Sequence, residues 1–136
     1  MPDQPTLTRF SQSLAEQKLG EEFTNILLWT QFLYMIKIKM IGDDLTLIAD
    51  YHDEPCKKNI DDPYCFGTQK GKSVHRTLVF SIISKDLHMV IATFKIKKRD
   101  HKLPFFEIIR NQFNMINKNI KYILLDRGFY RKEYRR

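Results

Sequence analysis

Two short apolar runs in this chain end in the same way. Leu45-Thr46-Leu47-Ile48-Ala49 closes on Asp50, and Tyr122-Ile123-Leu124-Leu125 closes on Asp126. Runs this short fit buried strands better than helices. Between them lie two β-rich runs, Thr77 to Ile83 and Leu87 to Lys97, joined by Ser84-Lys85-Asp86 as a hairpin. A stretch of helical periodicity follows the hairpin. The order strand, hairpin, helix, strand leaves few topologies. The hairpin extends the sheet on one side of the first strand, and a right-handed helical crossover lays the last strand parallel to the first on its other side. Open sheets with parallel strands gather ligands at the C-terminal ends of those strands. Neighbouring strands lie about 4.8 Å apart, so Asp50 and Asp126 at matching ends can share one divalent cation. Mg²⁺ suits such a site because it takes oxygen ligands and keeps several waters. An Asp at a strand end is equally an ordinary turn starter or helix cap. The pairing carries the reading, not either residue alone.

The crossover helix is predicted from about Leu103 to Asn117. Pro104 suits a first helical turn, and Phe105, Ile109, Phe113 and Ile116 form a core-facing stripe with Glu107, Arg110, Asn111, Asn114 and Lys118 off it. Upstream, Leu7, Phe10, Leu14 and Leu19 predict a short helix ending at Gly20. Glu21 and Glu22 open a second, suited to the positive end of a helix dipole. In it Phe23, Leu27, Leu28, Phe32 and Met35 recur at helical spacing to about Ile36. Ile26, Trp29 and Leu33 widen its apolar face, so this helix is expected to be well buried. Gly42-Asp43-Asp44 is a turn signal. Tyr51 to His75, with Pro55, Pro63, Gly67 and Gly71, reads as a long irregular connection. Arg127 to Arg136 reads as the start of a helix.

Charge divides the chain. Of its 136 residues, 1–50 hold 4 basic and 7 acidic side chains, whereas 51–136 hold 19 and 9, so a net −3 segment precedes a net +10 segment. A basic half of this kind suits a polyanion such as nucleic acid, or an anionic membrane surface. The candidate phosphate contacts are Lys57, Lys58, Lys70, Lys72, Lys97, Lys98 and Arg99, with Arg76 and Arg127 added. Tyr64 and Phe66, amid those lysines, can stack on an unpaired base. Asp53 and Glu54 read either as neighbours of a metal at Asp50 or as solvated loop residues. No signal peptide is visible. The most apolar stretch, Ile26 to Met40, is broken by Thr30, Gln31, Lys37 and Lys39, so no membrane span is expected. Cys56 and Cys65 make no disulfide framework, and the gaps separating His52, Cys56, Cys65 and His75 match no standard zinc pattern. The expectation is a reduced, cytoplasmic protein.

The residues around both aspartates resemble a family. Leu47-Ile48-Ala49-Asp50-Tyr51-His52-Asp53-Glu54-Pro55 resembles the first acidic motif of the DDE transposases of prokaryotic insertion sequences. His75-Arg76 before a β run is similar to the start of their second strand. Leu124-Leu125-Asp126-Arg127-Gly128-Phe129-Tyr130 resembles their second acidic motif. The resemblance spans about Leu45 to Tyr130. It implies an α/β, RNase H-like mixed sheet of four strands with one crossover helix over residues 43–136, preceded by an N-terminal helical segment over 1–42. It also implies metal-dependent cleavage and strand transfer at transposon DNA ends. Asp50 and Asp126 then correspond to the first two catalytic, metal-binding acids, with Mg²⁺ or Mn²⁺ as cofactor. The third acid of that family, usually Glu, stands on a helix well beyond the second Asp. Glu133 is the only later acid here and comes too early, and the basic Tyr-Arg-Glu-Lys signature of related transposases cannot be placed. The resemblance therefore implies a C-terminally incomplete catalytic domain, inactive alone. Two other readings stand beside it. One is a non-catalytic basic module that binds DNA and modulates a full-length transposase through shared sites or mixed oligomers. The other is an unrelated small metal-dependent nuclease.

Overall fold

A computed structural model describes residues 4–57, 62–67, 71–98 and 100–125, with side chains from residue 19 onward. The elements are α1 (Gln4–Lys37), β1 (Asp44–Pro55), β2 (Cys65–Gly67), β3 (Ser73–Ser84), β4 (Leu87–Lys95), α2 (Leu103–Met115) and β5 (Asn119–Leu125). They form a mixed α/β structure with one five-stranded sheet. β1 is central. On one side it pairs antiparallel with β3, from Thr46↔Ile83 to Pro55↔Val74. On the other it pairs parallel with β5, from Asp44↔Asn119 to Ala49↔Leu125. β4 pairs with β3 from Ser84↔Leu87 to Thr77↔Lys95, and the short β2 continues that edge from Cys65↔His75 to Gly67↔Ser73. The hairpin and the parallel strand thus flank β1 in the arrangement that the order of elements predicts.

Alternation along β1 decides which face is covered. Leu45, Leu47 and Ala49 are buried, and their neighbours Ile82 and Phe80 on β3 share that face with Leu78. Ile109 and Phe113 of α2 and Phe32 of α1 complete the same core. Aromatic rings hold the layers together in tilted and edge-on contacts. Phe106 meets Phe80 edge-on at 5.1 Å, Phe105 meets Phe94 at 5.0 Å, and Phe113 meets Trp29 at 5.8 Å and Phe32 at 5.5 Å. β5 is an outer strand, and Tyr122, Ile123 and Leu124 are each more than half exposed.

Three expectations are corrected. The two N-terminal helices are one, because α1 runs straight through Gly20. A glycine inside a helix costs about 1 kcal/mol relative to alanine, too little to end a helix whose next turn is anchored by Glu21 and Asn25. That helix is also less buried than its apolar content implies: Phe23 and Ile26 are 63% and 64% exposed, and among its described side chains Phe32 alone is fully buried. Finally, Tyr51 to His75 is not one irregular loop. β1 continues to Pro55, β3 begins at Ser73, and β2 lies between them.

The anchoring of α1 has a specific form. The outer edge of β4 would present unpaired backbone groups, a template for association. Asn25 covers it as a strand would: its Nδ2 donates to the Thr93 carbonyl at 2.8 Å, and its Oδ1 accepts from the Thr93 N–H at 2.7 Å. One turn earlier Glu21 Oε2 accepts from the Lys95 N–H at 3.0 Å. Burial raises the Glu21 carboxyl pKa, opposed by the Lys95 N–H and the Lys95 charge and reinforced by Glu22. Asn25→Ala leaves both Thr93 groups without this partner. It is expected to lower stability by about 1–3 kcal/mol and to increase self-association, read by urea denaturation and sedimentation velocity.

Candidate functional site

Asp50 lies in the interior of β1, not at its end. The expectation of a strand closing on Asp50 is corrected, because β1 stays paired with β3 for five more residues, to Pro55↔Val74. What ends near Asp50 is the parallel pairing with β5. The register runs Thr46↔Tyr122, Leu47↔Ile123, Ile48↔Leu124 and Ala49↔Leu125, one residue short of Asp50 on β1 and of Asp126 after β5. Asp126 and Arg127 lie outside the described residues, as do Lys58, Lys70 and Arg99. Asp50 itself is exposed, on the sheet face opposite Ala49, and its Oδ1 accepts from the Tyr51 N–H at 2.8 Å.

Beyond Asp50, β1 and β3 carry a second group of polar residues. Arg76 Nε and Nη2 donate to the two oxygens of Asp53 at 2.7 and 2.9 Å. The same guanidinium stacks over Tyr51 at 5.0 Å and Phe66 at 5.5 Å, and the Lys102 ammonium lies 5.1 Å from the Tyr51 ring centre. Such cation–ring contacts add to the ion pair. Asp53 is therefore engaged by Arg76, and Glu54 lies 3.5 Å from His52. Lys57, Lys72, Lys97 and Lys98 are exposed, and Lys97 sits over the Tyr64 ring at 5.6 Å. The two rings read as base-stacking surfaces, Tyr64 and Phe66, are both covered by cations of the chain itself.

The Arg76 hydrogen bond holds the Asp53 carboxyl below the ordinary aspartate value, against a smaller opposing effect of burial, with the charges of Arg76 and His52 helping. A carboxyl depressed in the folded state stabilises the fold above its unfolded pKa, and that contribution is lost as pH falls through the folded pKa. The Asp53 side chain is 37% exposed, so the solvent-screened worth is small. We expect Arg76→Ala to cost about 0.5–1 kcal/mol near neutral pH. The difference from the parent should narrow well below pH of about 3.9, leaving the part due to the ring contacts, as read by urea denaturation at both pH values.

The third group was only partly legible in the sequence. Cys56 and Cys65, read as reduced, are joined in a disulfide. Strand register explains the pairing. Cys65 sits opposite His75, and the Cys56 N–H bonds the Ser73 carbonyl at 3.1 Å, which brings the two Cα atoms within 6.2 Å. That separation is suited to a bridge. Asp62 joins this group through the structure. Its Oδ2 lies 2.6 Å from His75 Nε2, and its Oδ1 accepts from the Tyr64 N–H at 3.0 Å. Asp62-Pro63-Tyr64 is an Asx-type turn, a signal present in the sequence. Burial would raise the Asp62 carboxyl, but the His75 and Tyr64 hydrogen bonds, the His75 charge and the Cys65 N–H together hold it below the usual range. His52, the fourth residue of the rejected zinc spacing, is turned to Glu54.

Among the described residues, no helix is long and apolar enough to cross a membrane. Compared with protein-family models, curated proteins and solved structures, the chain matches none.

Proposed function

We propose that the chain is a DNA-binding module of the DDE-transposase type, with an RNase H-like sheet on which Asp50 and Asp126 hold a divalent cation. The observation that supports this most is the parallel β1–β5 pairing, whose last pair, Ala49↔Leu125, immediately precedes Asp50 and Asp126 in the sequence. The motifs resembling that family surround the same two residues. The donor chemistry fits Mg²⁺ or Mn²⁺, since an exposed carboxylate on a sheet face offers hard oxygen. A bound ion of this kind supplies Lewis-acid polarisation of a phosphoryl oxygen. Asp50 would ligate it from β1 and Asp126 from the residue after β5. Lys57, Lys58, Lys70, Lys72, Lys97, Lys98, Arg99 and Arg127 would contact phosphates, whereas Arg76 is committed to Asp53 and orders the strand ends. A second reading, a module without chemistry that associates with a full-length transposase, draws on the exposed apolar residues of β5.

DNA binding is tested by salt. Affinity for duplex DNA, measured by fluorescence anisotropy, should fall steeply with salt through counterion release. Replacing Lys57, Lys58, Lys70 and Lys72 with Gln should reduce the slope of log K against log salt by up to about 3–4. Salt-independent binding, or an unchanged slope in that variant, contradicts the phosphate-contact role.

A further inference from the structure

We propose that Cys56, Cys65 and His75 form a zinc site when the disulfide is reduced, so that one cluster alternates between a metal-bound dithiolate and a disulfide. This site is independent of the transposase reading and lies on the strand extension beyond Asp50. The ligand atoms of Cys56, Cys65 and His75 all lie within 4.8 Å of one another, and the three residues are each at least partly buried. Tetrahedral zinc with thiolate bonds of about 2.3 Å needs sulfurs roughly 3.8 Å apart. Opening the S–S bond therefore requires only a small separation of two side chains already held in place. The backbone does the holding: Cys65 and His75 are cross-strand partners, and Cys56 is tied to Ser73.

The chemistry of the donors selects the ion. Two thiolates and an imidazole are borderline-to-soft ligands, which favour Zn²⁺ over Mg²⁺ or Ca²⁺. Asp62 Oδ2, 2.6 Å from His75 Nε2, steadies the ring and supplies the carboxylate that commonly partners a zinc-bound histidine. Three protein ligands leave the fourth position to water. His52 takes no part; the three ligands are brought together by the β2–β3 register rather than by a local spacing, which is why no linear zinc pattern marks them.

The redox step balances with a low-molecular-weight disulfide as oxidant. The two thiolates give up two electrons and form the Cys56–Cys65 bond. The oxidant's own S–S bond breaks, its sulfurs leave as two thiols after taking up two protons, and the metal ion is released. A phosphine or dithiol reductant reverses the state of the cysteines.

The test uses the full chain, reduced with a phosphine, desalted without oxygen and titrated with Co²⁺. We expect a thiolate-to-cobalt charge-transfer band and tetrahedral visible bands that saturate at one ion per chain and vanish on adding Zn²⁺. Excess Mg²⁺ should leave them unchanged. The same protein oxidised with a small disulfide should show no such band and should regain it on reduction, a comparison that needs no substitution. Cys56→Ser and Cys65→Ser should each lose most of the charge-transfer intensity, and His75→Gln should shift the visible bands. Absence of the band in the reduced protein, its presence at equal strength in the oxidised protein, or its persistence in both cysteine variants would overturn the assignment.

Discussion

Truncating Phe80 to alanine is expected to lower the unfolding free energy by about 3–5 kcal/mol. Phe80 is fully buried on β3, and its cross-strand partners are both small: Ala49 on β1 and Ala92 on β4. The ring fills the space over both alanines and meets Phe94 at 6.0 Å and Phe106 at 5.1 Å, each near perpendicular. The two directly opposed side chains, Ala49 and Ala92, are too short to fill the void, so the cavity penalty should lie towards the upper part of that range. Against a total stability of about 5–15 kcal/mol for an ordinary domain, the variant loses about a fifth or more. Phe80→Leu keeps most of the volume and should cost less than about 1.5 kcal/mol. Urea denaturation of the two variants gives the comparison. A loss below about 1 kcal/mol for the alanine variant would contradict the packing described.

The same alternation explains what was legible in the sequence. The buried half of β1, Leu45 to Ala49, was readable because its apolar residues contrast with their surroundings. Its second half, Tyr51 to Pro55, carries exposed polar side chains and is a strand only because β3 pairs with it. Pairing of that kind leaves no periodic signal, so the sequence alone places Asp50 at a strand end although it is interior. The hairpin was readable from Ser84-Lys85-Asp86, where Lys85 takes a left-handed φ of 54°. The helix was readable from Pro104 and the Phe105, Ile109, Phe113 stripe, of which Ile109 and Phe113 are buried. Gly20 punctuates the sequence locally, but the hydrogen bonds that Glu21 and Asn25 make to β4, about seventy residues away, carry α1 through it. Convergence of Cys56, Cys65, His75 and Asp62 depends on the β2–β3 register, which short, loop-flanked Cys65–Gly67 does not announce.

The central claim is that Asp50 and Asp126 act on one ion, and Mn²⁺ binding followed by electron paramagnetic resonance tests it most directly. The protein is used in its disulfide form, so that Cys56 and Cys65 offer no thiolates. Neighbouring strands lie about 4.8 Å apart, so two carboxylates following the Ala49↔Leu125 pair would be within reach of one cation, and ligand charge sets the affinity of such oxygen sites. The parent should bind one Mn²⁺ weakly and release it to excess Mg²⁺. Asp50→Asn and Asp126→Asn should each weaken binding at least about tenfold. The double variant should be little worse than either single one, since residues sharing one ion are not additive. Parent-like Mn²⁺ affinity in both single variants would contradict the account.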